Sequence, residues 1–142
     1  MSAQVSDPAC VFCRIIRGEI PAQRVFEDSE VLAFLDINPL APGHTILIPK
    51  HHSANLEDLP PQWAVALGRT LGRLAGAITA AVGAAGYNLL QNNGPVAGQL
   101  VPHVHFHIIP RRPDDGLGYR WKSKAAGPEE LARVAEQVRA RL

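Results

Sequence analysis

The 142-residue sequence is poor in cysteine, methionine and aromatic residues: it has two cysteines and one methionine, and aromatics make up 6% of it. Two cysteines cannot form a disulfide framework, so a packed core must stabilise the fold. Excess charge is also absent, because 14 basic residues face 13 acidic ones and the formal net charge is +1. Such a chain lacks the bulk charge with which proteins bind nucleic acid or anionic membrane surfaces. We therefore expect no nucleic-acid partner and no membrane partner.

Long apolar runs and a targeting segment are also missing from the sequence. The longest run, near residues 74–85, is too short to span a bilayer. Residues 1–8 have neither the basic start nor the apolar core of a signal peptide. We therefore expect a cytoplasmic protein in a reducing environment. There, Cys10 and Cys13 indicate either a redox motif or half of a metal site, and the residues alone leave both open.

The sequence does contain enough apolar residues for one folded domain, since 46% of it is hydrophobic and 19% charged. Apolar residues at steps of three and four predict one long helix from Pro60–Pro61 to about Val82. Short helices are predicted between Asp7 and Gly18 and after Pro128. Strands are predicted at residues 24–27, 31–37, 44–50, 87–93 and 102–110. Because these strands come largely in adjacent runs, we expect an α+β fold with an antiparallel five-stranded sheet and the long helix on one face.

The six histidines occupy only two segments, residues 44–52 and 103–107. His103, His105 and His107 alternate with apolar residues, so in a strand all three imidazoles point to one face. We expect this row to lie on the open face of the sheet, with the apolar residues between them toward the core. His103 and His107 would lie about 13 Å apart, too far to share one ion. Either different histidines of the row serve metal binding, nucleophilic catalysis and anion binding, or none of them binds a metal.

Polar residues near the histidines add candidate contacts to a ligand. The loop at residues 92–99 contains glycines that allow backbone N–H groups to approach a phosphate, and Gln99 adds a neutral donor. Asp36, the one acid in the apolar segment 31–37, is either a loop cap or an acceptor for ribose hydroxyls. His44 opens the next strand and could reach the same face.

These residues resemble the histidine triad (HIT) family of nucleotide hydrolases and transferases, in particular its Hint-type branch with zinc-carrying bacterial members. The most specific part of the resemblance is the alternating histidine motif preceded by Gly98 and Gln99. The resemblance covers about residues 9–112, which would form the HIT domain, after a flexible segment at 1–8 and before a tail and helix at 113–142. The matching stretches are residues 10–21, 34–39, 43–50 and 98–110.

The resemblance implies a two-step nucleotidyl transfer on a purine nucleotide of AMP or GMP type. His105 matches the family's nucleophile, which attacks the α-phosphorus to form a nucleotidyl-histidine that water then hydrolyses. The substrate-contacting positions of the family are matched too. They are His44 and His107 at the phosphate oxygens, Gly98 and Gln99 near the α-phosphate, Asn92 at the ribose or phosphate, Asp36 at the ribose hydroxyls and Ile37 beside the base.

The resemblance also implies a structural zinc site. In zinc-bearing relatives the two cysteines, here Cys10 and Cys13, are joined by a histidine after the third strand and by the first histidine of the triad. Those positions are His52 and His103, and a set of two cysteines and two histidines closes a tetrahedron. His51 is the alternative to His52, and otherwise we expect it to be exposed.

Leu100 departs from the pattern, because many Hint-type proteins have a serine there that donates to the leaving group, and leucine cannot donate. The leaving group therefore stays open among an amine, a polyphosphate and sulfate. Two other functions stay open as well, a dinucleoside polyphosphate hydrolase and a nucleotide-binding or zinc-scaffold protein with negligible turnover. The resemblance further implies a homodimer.

Overall fold

A computed structural model describes residues 3–118 and 121–142 of the chain. The strands are β1 (Arg24–Glu27), β2 (Val31–Leu35), β3 (Thr45–Pro49), β4 (Gly86–Leu90) and β5 (Phe106–Arg111). The helices are α1 (Val11–Ile16), α2 (Pro61–Val82) and α3 (Pro128–Arg139), with short 3₁₀ turns at Leu56–Asp58 and Pro95–Ala97. All strands pair antiparallel in one sheet, in the order β1-β2-β3-β5-β4. The predicted α+β fold is confirmed.

The long helix α2 covers one face of the sheet. It begins at Pro61, a position where the N–H that proline lacks would have no partner within the helix. It ends at Val82, and Gly83 caps it with a left-handed φ of 65°. Its apolar stripe, including Leu67 and Ile78, packs against buried residues of the sheet. By length and composition alone, α2 is the one helix of the described chain that could cross a membrane. Its packing against the sheet gives it the position of a core helix.

The short helix α1 covers part of the opposite face. Phe12, Cys13 and Ile15 of α1 are buried there in a second core, against apolar side chains of β2 and β3. Asp7 does not cap α1 through its side chain. Its Oδ1 accepts from the N–H of Ala9 at 2.8 Å, in the turn that precedes the helix. The site described below lies on this α1 face.

Several strands are shorter than predicted because their ends leave the hydrogen-bond ladder. β2 ends at Leu35: the N–H of Asp36 still donates to the carbonyl of His44 at 3.0 Å, but its side chain accepts from the N–H of Asn38, where the loop begins. β5 begins at Phe106 instead of residue 102, since the N–H of Val104 donates to the carbonyl of Ser53 at 2.8 Å, outside the sheet. β4 also ends before residue 93. Residues 103–105 thus precede the strand that the sequence placed them in.

The N-terminal segment, which the sequence predicts to be flexible, is tied at Val5 to the loop after β3. The N–H of Val5 donates to Nδ1 of His51 at 3.2 Å, and the carbonyl of Val5 accepts from the N–H of His52 at 2.7 Å. These two bonds bring the start of the chain to the histidines that follow β3.

Substituting Gly43 with alanine is expected to lower the free energy of unfolding by about 2 kcal/mol or more. Gly43 has a φ of 87°, which costs a residue with a side chain about 1 kcal/mol. A Cβ there would lie 2.9 Å from Cγ1 of Val82 and 3.3 Å from Cγ2 of Ile78. Overpacking of this kind typically costs about 1–3 kcal/mol. Urea unfolding of the variant measures the loss.

Gly18→Ala is the matched control for that substitution. Gly18 has a similar φ of 77°, but no described atom lies within 4 Å of a Cβ built there. Only the conformational cost of about 1 kcal/mol is therefore expected. Equal losses in the two variants would contradict the crowding at Gly43.

Candidate functional site

A cavity of about 510 Å³ opens on the α1 face, between α1 and the ends of β2, β3 and β5. Its apolar walls include Phe12, Ile15, Phe34 and Ile46. Its polar lining includes Asp36, Asn38, His44, His105 and His107. An apolar cleft with a few convergent polar groups is typical of a small-molecule site.

The three histidines of the alternating motif share the α1 face, as predicted, but they do not form an open row. The ring of Phe12 packs edge-on against His103 and His105, with centroids 5.8 and 5.1 Å apart. His103 is 0% exposed and His105 is 5% exposed. The prediction of an exposed imidazole row is therefore wrong, because α1 covers this part of the sheet.

His105 is held with its proton on one defined nitrogen. Its Nδ1 lies 2.7 Å from the main-chain carbonyl oxygen of His103, which can only accept, so Nδ1–H is the donor. The lone pair of the neutral ring is then on Nε2. Burial lowers the pKa of His105 and keeps the ring neutral near pH 7, against a smaller opposing effect of that hydrogen bond. A neutral imidazole with one free lone pair can act as a nucleophile.

His44 and His107 form a hydrogen-bond chain beside His105. The N–H of Leu40 donates to Nδ1 of His44 at 3.0 Å, so the neutral His44 ring carries its proton on Nε2. That Nε2 lies 2.9 Å from Nδ1 of His107 and donates to it, which leaves the His107 proton on Nε2. Burial lowers the pKa of both rings, and that of His107 to about 4, with His105 and His44 adding to the effect. This series of hydrogen bonds thus ends in an N–H donor on His107.

The hydrogen bonds from Leu40 through His44 to His107 argue against a metal ion at this end of the cavity. Potential ligand atoms of Asp36, His44 and His107 lie within 4.8 Å of one another. A metal would need the Nε2 lone pair of His44, but donation from Leu40 to Nδ1 keeps a proton on that nitrogen. We therefore interpret the three side chains as a hydrogen-bonding group.

Asp36 and Ile37 lie together at the end of β2 and both line the cavity. Oδ1 of Asp36 accepts from the N–H of Asn38 at 2.8 Å, and Oδ2 lies 3.6 Å from Nε2 of His44. Ile37 is 89% exposed at the rim. One oxygen of Asp36 thus caps the loop, which is the first of the two readings from the sequence, and the other oxygen lies near His44.

A second cluster lies next to the cavity, formed by Cys10, Cys13, His52 and His103. Nδ1 of His103 lies 3.4 Å from Sγ of Cys10 and 3.6 Å from Sγ of Cys13. Nδ1 of His52 lies 3.5 Å from Sγ of Cys13 and 3.2 Å from Nδ1 of His103. Cys10 directly precedes α1 and Cys13 lies in it, whereas His52 follows β3 and His103 precedes β5.

The cluster has the geometry and the proton arrangement that a tetrahedral metal site requires. With standard zinc–ligand lengths, the N···N and N···S edges of such a site are about 3.3 and 3.5 Å. Nε2–H of His103 donates to the carbonyl of Pro49 at 3.0 Å, which leaves Nδ1 as the lone-pair nitrogen. Nε2 of His52 faces the carboxylate of Asp7 at 3.8 Å, so its Nδ1 is oriented inward in the same way. The four residues could therefore hold a metal ion.

His51 lies outside this cluster, so the geometry favours His52 over the alternative that the sequence left open. Nδ1 of His51 accepts from the N–H of Val5, and its ring stacks on Trp63 with centroids 5.2 Å apart. His51 is 6% exposed, so the prediction that it is exposed is wrong. Trp63 and the N-terminal segment cover it, which the local sequence does not indicate.

A family model described as HIT domain matches residues 17–114. The chain belongs to the HIT family. Adenosine 5'-monophosphoramidase hnt1 of Schizosaccharomyces pombe is 40% identical to it, over 94% of this chain and 98% of that protein. The family that the sequence resembles is thereby confirmed.

Solved HIT structures share the fold. A HIT family member from Bacillus subtilis matches with a TM-score of 0.90 and 42% identity, over 94% of this chain and 97% of that one. A zinc-bound histidine triad family protein from Mycobacterium smegmatis matches with a TM-score of 0.74 and 38% identity, over 94% of both chains. The α+β fold is thus one that HIT proteins have in crystals.

In this HIT protein, the polar side chains of the loop before the triad bond to protein groups in the loop itself and to Ala54. The Gln99 amide donates to the carbonyl of Ala54 at 2.6 Å and its Oε1 accepts from the N–H of Gly94 at 2.7 Å. The N–H of Gly98 donates to Pro95, and Nδ2 of Asn92 lies 3.4 Å from the carbonyl oxygen of Gly98. Gly98 lines the cavity, whereas Gln99 and Asn92 are absent from the described lining. Both amides shape the loop in this conformation.

Leu100 lies at the rim of the cavity and is 92% exposed. Its side chain is apolar and offers no hydrogen-bond donor there. Two further residues matter here that the sequence did not indicate: Leu40, whose N–H sets the His44 tautomer, and Phe12, which contacts two of the triad histidines. A main-chain donor has no sequence signal, and Phe12 reads locally only as a core residue of α1.

Acid is expected to destabilise this HIT protein through His107. Burial lowers the pKa of His107 from 6.5 to about 4. Between these pH values the unfolded chain binds a proton that the folded chain does not, so the free energy of unfolding falls as the pH drops from 6.5 to 4. The loss from His107 is at most about 3 kcal/mol. Urea unfolding at pH 7 and pH 4.5 measures it.

His107→Gln is the comparison for that measurement, since glutamine keeps a polar side chain and does not titrate. The other buried histidines still titrate in the variant, so its stability also falls in acid, but by less than in the native protein. An equal loss in both proteins would contradict the depressed pKa of His107.

Proposed function

We propose that this HIT protein releases a nucleoside 5'-monophosphate from a leaving group by way of a covalent nucleotidyl-His105 intermediate. The observation that carries the proposal is the bond from Nδ1–H of His105 to the carbonyl of His103, which leaves Nε2 as the free nucleophilic nitrogen in a cavity. The adenosine 5'-monophosphoramidase of Schizosaccharomyces pombe supports a phosphoramidate as the first candidate substrate.

The reaction proceeds in two displacements at the α-phosphorus. In the first, the Nε2 lone pair of His105 forms a bond to phosphorus, and the bond to the leaving group breaks with its electrons going to the leaving atom. In the second, a water oxygen attacks the same phosphorus, and the pair in the P–Nε2 bond returns to His105. One water proton neutralises the departed group and the other stays on the nucleotide or passes to solvent. Splitting the displacement lowers each barrier.

His107 is placed to stabilise the charge that develops on the phosphoryl oxygens. Its Nε2–H is the free donor at the end of the chain from Leu40 through His44. A donor held in advance by such a chain needs no reorganisation as charge develops, which is where electrostatic stabilisation is strongest. His44 contributes by orienting His107 and lies on the same side of the cavity.

The remaining lining suits the nucleoside. The apolar walls around Phe34 and Ile46 fit a purine ring, with Ile37 beside it at the rim. Oδ2 of Asp36 is the acceptor for ribose hydroxyls, since Oδ1 is already bonded to Asn38. An AMP-type or GMP-type nucleotide is therefore the proposed substrate moiety.

The metal proposed for the cysteine and histidine cluster is structural zinc. Its support is the fit of the Cys10, Cys13, His52 and His103 atoms to a tetrahedron, and the zinc-bound relative from Mycobacterium smegmatis. Zinc held by four protein ligands has no open position for substrate or water, so its contribution would be to the fold. Asp7 would orient His52, and Pro49 would orient His103.

We also propose that the protein acts as a cytoplasmic homodimer. Support for a second copy comes from α3, none of whose residues is buried in the single chain. Its apolar side chains Leu131, Val134 and Val138 are between 43% and 58% exposed. Sedimentation velocity of the purified protein tests the dimer, and a monomer at micromolar concentration would contradict it.

Turnover of two substrates tests the function. Adenosine 5'-phosphoramidate and diadenosine tetraphosphate are incubated separately with the protein, and AMP formation is followed by chromatography. We expect the phosphoramidate to have the higher kcat/KM. A higher kcat/KM for the dinucleotide would identify a dinucleoside polyphosphate hydrolase instead. AMP binding by calorimetry without turnover of either substrate would identify a binding or scaffold protein.

A further inference from the structure

His103 belongs to both clusters of the site. Through its side chain it faces the cysteines, with Nδ1 3.4 Å from Sγ of Cys10. Through its main chain it accepts the Nδ1–H of His105 at 2.7 Å. One fully buried residue thus connects the potential metal ligands to the ring that carries the proposed nucleophile.

The backbone of this connection is not held by the sheet. β5 begins only at Phe106, so the His103 carbonyl lies before the first ladder pairing of the strand. The segment is held by individual hydrogen bonds to other parts of the protein, such as the one from the N–H of Val104 to the carbonyl of Ser53 at 2.8 Å. The side chain of His103 adds its bond to Pro49 and its contacts with the two thiols. A metal bound by those thiols would therefore restrain a stretch that the sheet leaves free.

Phe12 makes a second connection between the clusters. It lies between Cys10 and Cys13 in the sequence, at the start of α1. Its ring contacts His103 and His105 edge-on, both with an interplanar angle of 78°. Any movement of the two cysteines carries Phe12 with it, and so changes the packing against the nucleophile.

We propose that the Cys10–Cys13–His52–His103 cluster, with its metal bound, positions His105 for reaction, and that His103 and Phe12 are the positioning residues. The proposal rests on the proposed role of His105 as nucleophile. When the cluster loosens, the His103 carbonyl and the Phe12 ring both shift. Nδ1–H of His105 then loses its fixed acceptor, and the ring can take the other tautomer or turn its Nε2 away from the substrate. Misplacement by about 1 Å is enough to lower a rate by roughly 100-fold.

The first test compares metal-loaded and chelator-stripped protein by nitrogen NMR of the histidine rings. Loaded protein is expected to show His105 in the single Nδ1–H tautomer, and stripped protein to show a mixture. The kcat for the phosphoramidate should fall about tenfold or more on stripping, with KM within about twofold. Folded stripped protein that keeps the same tautomer and the same kcat would overturn the proposal.

Phe12→Leu in the metal-loaded protein gives a second test that does not depend on how stripped protein folds. Leucine keeps an apolar side chain and leaves all four ligands in place, so metal content should stay at that of the native protein. The His105 tautomer should become mixed and kcat should fall by about fivefold or more. An unchanged tautomer together with an unchanged kcat would overturn the role of Phe12.

Phe26→Leu is the control, because the Phe26 ring lies under Arg73 and packs against the α2-side core. It should leave the His105 tautomer and kcat unchanged. The NMR signal also separates this proposal from the proposed function. If His105 is not the nucleophile, the tautomer still responds to the metal while turnover does not, whereas failure of the positioning role leaves the tautomer unresponsive.

Discussion

Replacing His105 with alanine is expected to lower kcat for the phosphoramidate by at least about 1,000-fold, because the variant has no nitrogen to form the covalent intermediate. AMP binding should persist, since the apolar walls, Asp36 and His107 remain. Single-turnover kinetics measures the loss of rate, and calorimetry measures the binding. In the native protein, rapid acid quenching followed by mass spectrometry should show a nucleotidyl adduct on His105.

A buried histidine outside the cavity supplies the control for that variant. His51→Gln removes an imidazole that is 6% exposed but packs against Trp63 and is absent from the described lining. Its kcat should stay within about threefold of the native value once the folded fraction is measured by circular dichroism. Turnover that survives in His105→Ala would show that another group attacks phosphorus.

Replacing Cys13 with serine is expected to remove bound metal and to destabilise the protein strongly. Sγ of Cys13 is the atom that approaches both histidines of the cluster, at 3.5 and 3.6 Å. A serine hydroxyl stays protonated near neutral pH and does not replace a thiolate ligand. With free zinc at 100 to 1,000 times the dissociation constant, the lost metal binding corresponds to about 3–4 kcal/mol of the free energy of unfolding. Elemental analysis and urea unfolding with and without EDTA measure the two effects.

The chelator distinguishes loss of metal from loss of packing. EDTA should lower the urea midpoint of the native protein and leave that of Cys13→Ser unchanged. Arg14→Ala, on the exposed side of α1, should respond to EDTA like the native protein. A native protein purified without metal, whose midpoint is insensitive to EDTA and to added zinc, would contradict the zinc site.

The elements that could be predicted best are those with local start and stop signals. α2 runs from Pro61 to Val82 as predicted, because a proline at its start and a glycine at its end mark its limits within the sequence itself. β1 has the bounds that the sequence predicts, because a local turn follows it. In that turn the side chain of Asp28 accepts from the N–H of Val31 at 2.8 Å. The start of β5 could not be predicted, because the bond that takes Val104 off the ladder goes to Ser53.

The sequence identified most of the side chains of the candidate site, but not all of their contacts. The resemblance to HIT proteins singled out Asp36, the two cysteines and five of the histidines, and the structure brings these groups together on one face, whereas His51 packs against Trp63. The resemblance implies that Gln99 and Asn92 contact the substrate. In this conformation Asn92 bonds within its own loop, and Gln99 links that loop to the carbonyl of Ala54. Leu40 and Phe12 were missed, since neither has a polar side chain that would draw attention in a sequence.

The sequence by itself determined that the triad histidines share one face of the sheet, because alternation along an extended segment is a property of neighbouring residues. Only the tertiary structure decided that this face is covered, which nitrogen of each ring carries the proton, and how the rings divide between two clusters. Those features depend on atoms that are distant in the chain: Cys10 and His103 are 93 residues apart, and His44 and His107 are 63 apart. A histidine's chemistry is set by the partner of each ring nitrogen, and here folding supplies nearly all of those partners.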